Sequence, residues 1–277
     1  MAITHFIPTL WSETLYSELK NNYVAAKLSN REFEGEIRGE GDRVRICGLN
    51  PVTVFNYTRN VDMPAAELLS DNERTLVIDQ AKGFNFYIDD IDKAQSKKSL
   101  MQTAMKEAAD ALADVADRYI YSLTDPAVST VTDSAATSVS ILNTLSDARR
   151  ILMEHNVPNS ANLSLEVSPA VEQKLVLAKV LRSTDNSKEL GRGYIGKFMG
   201  FDVYVTNNIK VVDGVHRCVA RTSRAIAYAE QLNTVKAYEP ELRHGDAVKG
   251  LHLYGAKIVY PKEMVFINVT PAEEPTA

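Results

Sequence analysis

The stretch RHGDAVKGLHLYGAKIVYPKEMVFINV, Arg243 to Val269, limits what this chain can fold into more than any other segment. It is dense in β-branched and aromatic residues, and glycine interrupts it at Gly250 and Gly255. That pattern predicts two or three long strands with a bend or bulge at each glycine. Nothing inside it has the spacing of a reaction site, so the stretch predicts a large sheet built for something other than catalysis.

The rest of the chain has to supply partners for that sheet. Its 277 residues, 45% of them hydrophobic, suffice for one large domain or two small ones with a real core. Thirty-one Lys and Arg against 36 Asp and Glu leave a formal charge of -5, which argues against a surface that grips phosphate backbones broadly. No apolar run approaches the roughly 20 residues that span a bilayer. The opening MAITHFIPTLWSETL lacks the basic-then-apolar pattern of a secretory signal, and Cys47 and Cys218 form neither a disulfide framework nor a CxxC pair. The expectation is synthesis in a reducing cytosol.

Along the chain, Leu15, Leu19, Tyr23 and Ala26 recur at helical spacing in an opening segment too poor in apolar residues to fold alone. Two strand-like arms follow, Asp42 to Tyr57 and Arg74 to Ile88, joined by a long polar connection. A two-stranded arm is marginal in water, so it needs another surface to lie on, and a neighbouring molecule is one source. Next comes a long amphipathic helix. Its stripe is Met101, Met105, Ala108, Leu112, Val115 and Tyr119, with Glu107, Asp110, Asp114 and Asp117 placed off it. The Ser/Thr-rich stretch Thr124 to Ser140 reads as a connection. A helix closed near Pro158, the strand NLSLEV, and a second helix capped by Ser168 and Pro169 then make a compact α/β unit. FDVYVTNN, VHRCVA, RAIAYAE and TVKAYE read as short strands with a turn at Asp213 and Gly214.

The motifs that carry chemistry do not hold up in context. GRGYIG, Gly191 to Gly196, fits GxGxxG, but a dinucleotide loop must follow a strand and open a helix, and here polar residues precede it and a strand follows. Asp89, Asp90 and Asp92 have the hardness a divalent cation wants, yet they stand ahead of the long helix, where carboxylates cap. The five histidines form no zinc pattern, and no GxSxG elbow supplies a nucleophile. No enzymatic activity, cofactor or metal is expected.

The order of these pieces, with ITHFIPTLWSETL, REFEGEIRGEGDRVRI, FDVYVTNNI and the closing AIAYAEQLNTVKAYEPELRHGDAVKGLHLYGAKIVYPKEMVFINV, resembles the major capsid (coat) proteins of tailed bacteriophages with the Hong Kong 97-type fold. The resemblance covers nearly the whole chain. It implies an α+β fold with an N-arm at 1–34, an extended β-loop at 35–92, a peripheral domain with a spine helix at 93–124 and 219–270, an axial α/β domain at 125–218, and a tail at 271–277. It implies a homo-oligomer of many copies, as hexamers and pentamers of an icosahedral shell that encloses DNA without gripping it tightly. Such a shell sits in the virion, is assembled in the host cytoplasm, and has no membrane partner. The chain begins directly at the arm, so the expectation is a separate scaffolding protein, with portal and decoration proteins as further partners. Arg59, Asp62, Glu67 and Arg74, polar residues expected around the loop tip, are the candidate subunit contacts. The nearest alternative is an encapsulin-type nanocompartment around a cargo enzyme. More distant alternatives are a tail protein and a small-molecule enzyme built on the glycine loop.

Overall fold

The computed structural model describes residues 15, 17–19, 22–32, 41–49, 56, 59, 62, 71–89, 100–158, 161–178, 194–238, 240 and 245–273. Its long antiparallel sheet takes β3 (Gln80–Asp89), β10 (Ile226–Tyr238) and β11 (Gly245–Ile258) in the order β10-β11-β3. RAIAYAE and TVKAYE are thus one strand, with a register shift between Asn233 and Lys236. β3 also changes the reading of the arm. The stretch Arg74 to Ile88 breaks at Ile78 and Asp79 into β2 (Asp71–Val77) and β3, and β3 finds its neighbour in β11 of its own chain. The part that needs an outside surface is correspondingly shorter than the sequence reading expects.

Helix α1 (Leu100–Ser122) lies on one face of this sheet. At about 1.5 Å per residue its 23 residues make a rod of roughly 35 Å. Its buried positions are Met105, Ala109, Leu112, Ala113, Ala116, Asp117, Ile120 and Tyr121, while Val115 is 37% exposed. The buried face is therefore rotated from the expected stripe toward the alanines. Small side chains let the helix settle close to the sheet, so the pattern of large apolar residues misjudges its phase. Asp89 is the last residue of β3 and α1 begins at Leu100; Asp90 and Asp92 lie outside the described residues.

The second sheet has seven strands: β4 (Ser129–Ala136), β12 (Met264–Pro271), β9 (Val215–Thr222), β5 (Leu163–Val167), β7 (Phe201–Val205) and β6 (Tyr194–Phe198) in that order, with β8 (Val211–Val212) paired to β9. β4 occupies the stretch expected as a connection. It is an edge strand, parallel to β12, and its largely exposed Ser, Thr and Asp give it a loop's composition. α2 (Ser140–Glu154) packs on β4 and β12, and α3 (Pro169–Leu177) on β12. As expected, Ser168 caps α3, its hydroxyl accepting from Val171 N–H. α2 ends with Asn156 in the left-handed region, and Asp213 and Gly214, both at positive φ, make the tight β8–β9 turn.

The closing stretch splits between the two sheets. A single 3-10 turn, Pro261–Glu263, carries the chain from β11 into β12. The sheets thus cut across the expected segments. β12, grouped with the peripheral strands, joins β4 to β7, and β3, grouped with the loop, joins β10 and β11.

Gly250 stands opposite the register shift of β10 between Asn233 and Lys236, the irregularity expected of a glycine inside a strand, and both Gly250 and Gly255 also serve close approach. A Cβ on Gly250 would stand 2.5 Å from the Phe84 ring. One on Gly255 would overlap the Val77 carbonyl oxygen and press on Ile78 Cα at 3.1 Å. Gly255→Ala is therefore expected to destabilise the folded chain by about 1–3 kcal/mol. Gly83→Ala in the same sheet, with only an ordinary 3.5 Å contact to make, should fall within about 0.5 kcal/mol of wild type. Denaturant midpoints of the two variants check this.

Candidate functional site: the loop base and its buried anchors

β1 (Arg43–Leu49) and β2 pair antiparallel, Arg43 opposite Val77 and Leu49 opposite Asp71, and carry residues 50–70 between them. A free hairpin of this size is marginal. Here the period-2 alternation turns Val44, Ile46 and Leu76 inward, and with Ile78 they form a small core on Ala227, Ala229, Leu253 and Val259 of the long sheet. Burying side chains of this kind contributes about 1.5–3 kcal/mol each. Alanine at 227 and 229 and glycine at 255 keep the sheet surface low enough for the hairpin backbone to approach. Polar bonds fix the register: Lys257 Nζ donates to the Thr75 carbonyl at 2.9 Å, and Arg74 Nη1 to the Ile258 carbonyl at 3.1 Å.

This places the candidate contact residues. Arg59 and Asp62 are exposed, on the segment the base carries. Glu67 lies outside the described residues. Arg74 is not at the loop tip: it sits in β2, half-buried, with its guanidinium bonded inside its own chain, because β2 begins at Asp71 rather than at Arg74.

Beneath the base lies a set of buried charges the sequence reading did not single out. β5 is buried at every position, so its two faces both need partners; Leu163, Leu165 and Val167 fill one, and Ser164 and Glu166 fall on the other. Glu166 meets Arg221 of β9, Nε to Oε1 at 2.6 Å, with both side chains fully buried. The remaining Arg221 donors reach the opening segment, Ser29 Oγ and the Ala25 carbonyl, each at 2.9 Å. Arg217, on the same face of β9, donates to the carbonyls of Tyr121 and Leu123. It thereby satisfies the end of α1, which has no basic residue in its last turn.

Two more carboxylates hold the same opening segment. Asp117 of α1, 1% exposed, accepts from the backbone N–H groups of Val24 at 2.8 Å and Ala26 at 3.1 Å. Burial pushes its carboxyl up to about 7 against the pull of those amides. Glu230 of β10 accepts from Tyr23 at 2.5 Å and Tyr228 at 2.9 Å, lies 2.9 Å from His252 Nε2, and pairs with Arg31. Burial alone would raise the Glu230 carboxyl, but the bond to His252 and the charge of Arg31 hold it down at about 2. Asp117 was legible in principle, since it stands four residues from both Ala113 and Tyr121 on the buried face. Arg221 and Glu230 sit in strands, where nothing local marks them.

The motifs considered for chemistry stay dispersed. His155 Nδ1 is 2.8 Å from the Lys262 carbonyl, His252 is committed to Glu230, and burial lowers the half-buried His216. Cys218 is buried, its thiol pushed up to about 12. Tyr194 to Gly196, the second half of the glycine motif, is strand β6; the first half lies outside the described residues. Among the described residues no group of His, Cys, Asp and Glu could hold a metal ion, and no helix is long and apolar enough to cross a membrane.

Removing one partner of the buried pair should cost far more than removing both. Arg221→Met is expected to lose about 3–5 kcal/mol, with part recovered in the Arg221→Met, Glu166→Leu double variant, as read from denaturant midpoints. Glu230, being depressed, contributes stability that is complete above the ordinary carboxylate range and is lost as pH falls from 4.5 toward about 2. The gap in thermal midpoint between wild type and Glu230→Gln should therefore narrow from pH 6 to pH 3.

Comparison with known proteins agrees with this architecture. Residues 72–267 match the family model described as phage capsid protein. A solved structure from Mycobacterium phage Che8 superposes with a TM-score of 0.70 at 29% identity, covering 88% of this chain and 90% of that one. The capsid of Ralstonia phage GP4 gives 0.66 at 13% identity over 90% and 88% of the two chains. A virus-like particle from Pyrococcus furiosus gives 0.59 at 15% identity over 94% and 98%. The last two, at such low identity, speak for the fold alone. No curated protein sequence matches significantly. The nanocompartment alternative is not favoured, because the matched family is that of phage capsids. With the Hong Kong 97-type fold and a family match over most of its length, the chain belongs to the phage capsid protein family, as a structural major capsid protein that works in many copies in the virion shell.

Proposed function

We propose that the chain builds the icosahedral head shell around the phage DNA, as hexamers and pentamers assembled in the host cytoplasm, and that it catalyses no reaction. The observation that carries this reading is the family match over residues 72–267, which takes in β3, α1 and both sheets. A separate scaffolding protein directs assembly, and portal and decoration proteins complete the head. The formal charge of -5 suits a wall that surrounds DNA without holding it.

Within this reading residues 1–34 act as the N-arm and 35–92 as the extended loop. Residues 93–124 with 219–270 serve as the peripheral domain, 125–218 as the axial domain and 271–277 as the tail. The firm loop base supports the division of labour. A segment carried on a fixed root can meet a neighbour in one register, and many such modest contacts close a shell because each copy is held by several others. Arg59 and Asp62 are the exposed charges best suited to set that register.

Size-exclusion chromatography with light scattering and electron microscopy of the heaviest species tests the proposal. Wild type, alone or with its scaffold, should give hollow closed shells. Arg59→Glu should keep the wild-type melting temperature of the subunit and shift the population toward unassembled 30.7 kDa chains. Wild type that stays monomeric with a scaffold present would overturn the shell assignment, and normal shells from Arg59→Glu would remove Arg59 from the contact.

A further inference from the structure

Residues 22–32 make almost no regular structure of their own. They form a turn and a single β-bridge, Asn30 to Ala227, with Asn30 N–H donating to the Ile226 carbonyl and Tyr228 N–H to the Asn30 carbonyl, each at 2.9 Å. Yet Tyr23, Ala25, Ala26 and Ser29 are buried. Tyr23 is among the largest buried side chains and brings most of the segment's apolar area, while Ala25 and Ala26 add little. The rest of the hold comes from three buried charged side chains on three elements: Asp117 on α1, Arg221 on β9 and Glu230 on β10. The segment thereby ties the helix to both sheets.

We propose that residues 22–32 are a releasable strap whose hold on the body is set by the protonation of Asp117, tighter in mild acid and looser toward alkaline pH. Asp117 is enclosed by the strap amides of Val24 and Ala26 on one side; Tyr121 on its own helix and Glu166 from β5 act on it, and Arg221 from β9 stands against those two. Burial is what chiefly raises the Asp117 carboxyl; the strap amides pull it down, and the Glu166 charge, itself paired with Arg221, adds a smaller push upward. In the released state Asp117 would face water at its ordinary acidity. The attached state thus binds the proton more tightly, so attachment is fully favoured below the ordinary carboxylate range and weakens as pH rises toward about 7. Glu230 does not oppose this, since it is already ionised well below this window.

Hydrogen exchange by mass spectrometry on the purified full chain, corrected for intrinsic rates, tests the proposal between pH 5.5 and pH 8. The amides of Val24, Ala26 and Tyr228 should open about tenfold or more readily at pH 8, while those of α2 stay constant. Asp117→Asn, which keeps the shape of the protonated acid, should abolish the slope and leave the strap protected at both pH values. Equal strap protection at the two pH values in wild type would overturn the proposal, and so would an unchanged slope in Asp117→Asn. The wild-type slope decides the question even if the variant fails to fold, and neither readout depends on whether shells form.

Discussion

A carboxylate on a strand that is covered on both faces sets the terms for the rest of this molecule. Glu166 cannot reach water from β5, and an unpaired charge there would cost several kcal/mol, about as much as many domains have to spare. Arg221 answers it from the neighbouring strand, but a guanidinium has five donors and the carboxylate uses only some of them. Two of the others are met by the Ala25 carbonyl and the Ser29 hydroxyl, which is why a turn of the opening segment is buried against β9. Asp117 and Glu230 extend the same logic to the helix and the long sheet. The two sheets and the helix are therefore joined by directional bonds as well as by apolar contact.

That joint has a consequence for a protein that must be copied many times in one lattice. Apolar packing tolerates sliding, whereas a buried pair with further hydrogen bonds at both ends accepts one geometry. The loop base inherits this precision because it rests on β10 and β11, the strands that also carry Glu230 and His252. What extends beyond the base can then present Arg59 and Asp62 from a root that does not shift relative to the body.

Much of this was legible in the sequence, for identifiable reasons. β11, β12 and β7 announce themselves by runs of β-branched and aromatic residues, and α3 by Ser168 and Pro169, because those signals are local. β4 was hidden because an edge strand with exposed Ser and Thr reads as a loop. The phase of α1 is misjudged from sequence because its buried face is rich in alanines, and Asp117 falls off the expected apolar stripe because that stripe is drawn through the larger side chains. The partners of Glu166 and Glu230 come from residues 55 and 199 positions away in Arg221 and Arg31, a separation that no local pattern encodes. Arg74 shows the same limit from the other side: its type suggested a surface contact, and only the register of β2 reveals the Ile258 carbonyl it serves.

The central claim is that a body fixed by buried polar bonds carries a loop whose contacts lie on other copies. An electron cryomicroscopy map of the assembled shell tests it most directly. The account predicts Arg59 and Asp62 against a neighbouring subunit, with Arg74 still on its own Ile258 carbonyl and Arg221 still on Glu166. A loop folded back on its own subunit, with Arg59 and Asp62 facing solvent in every copy, would contradict it.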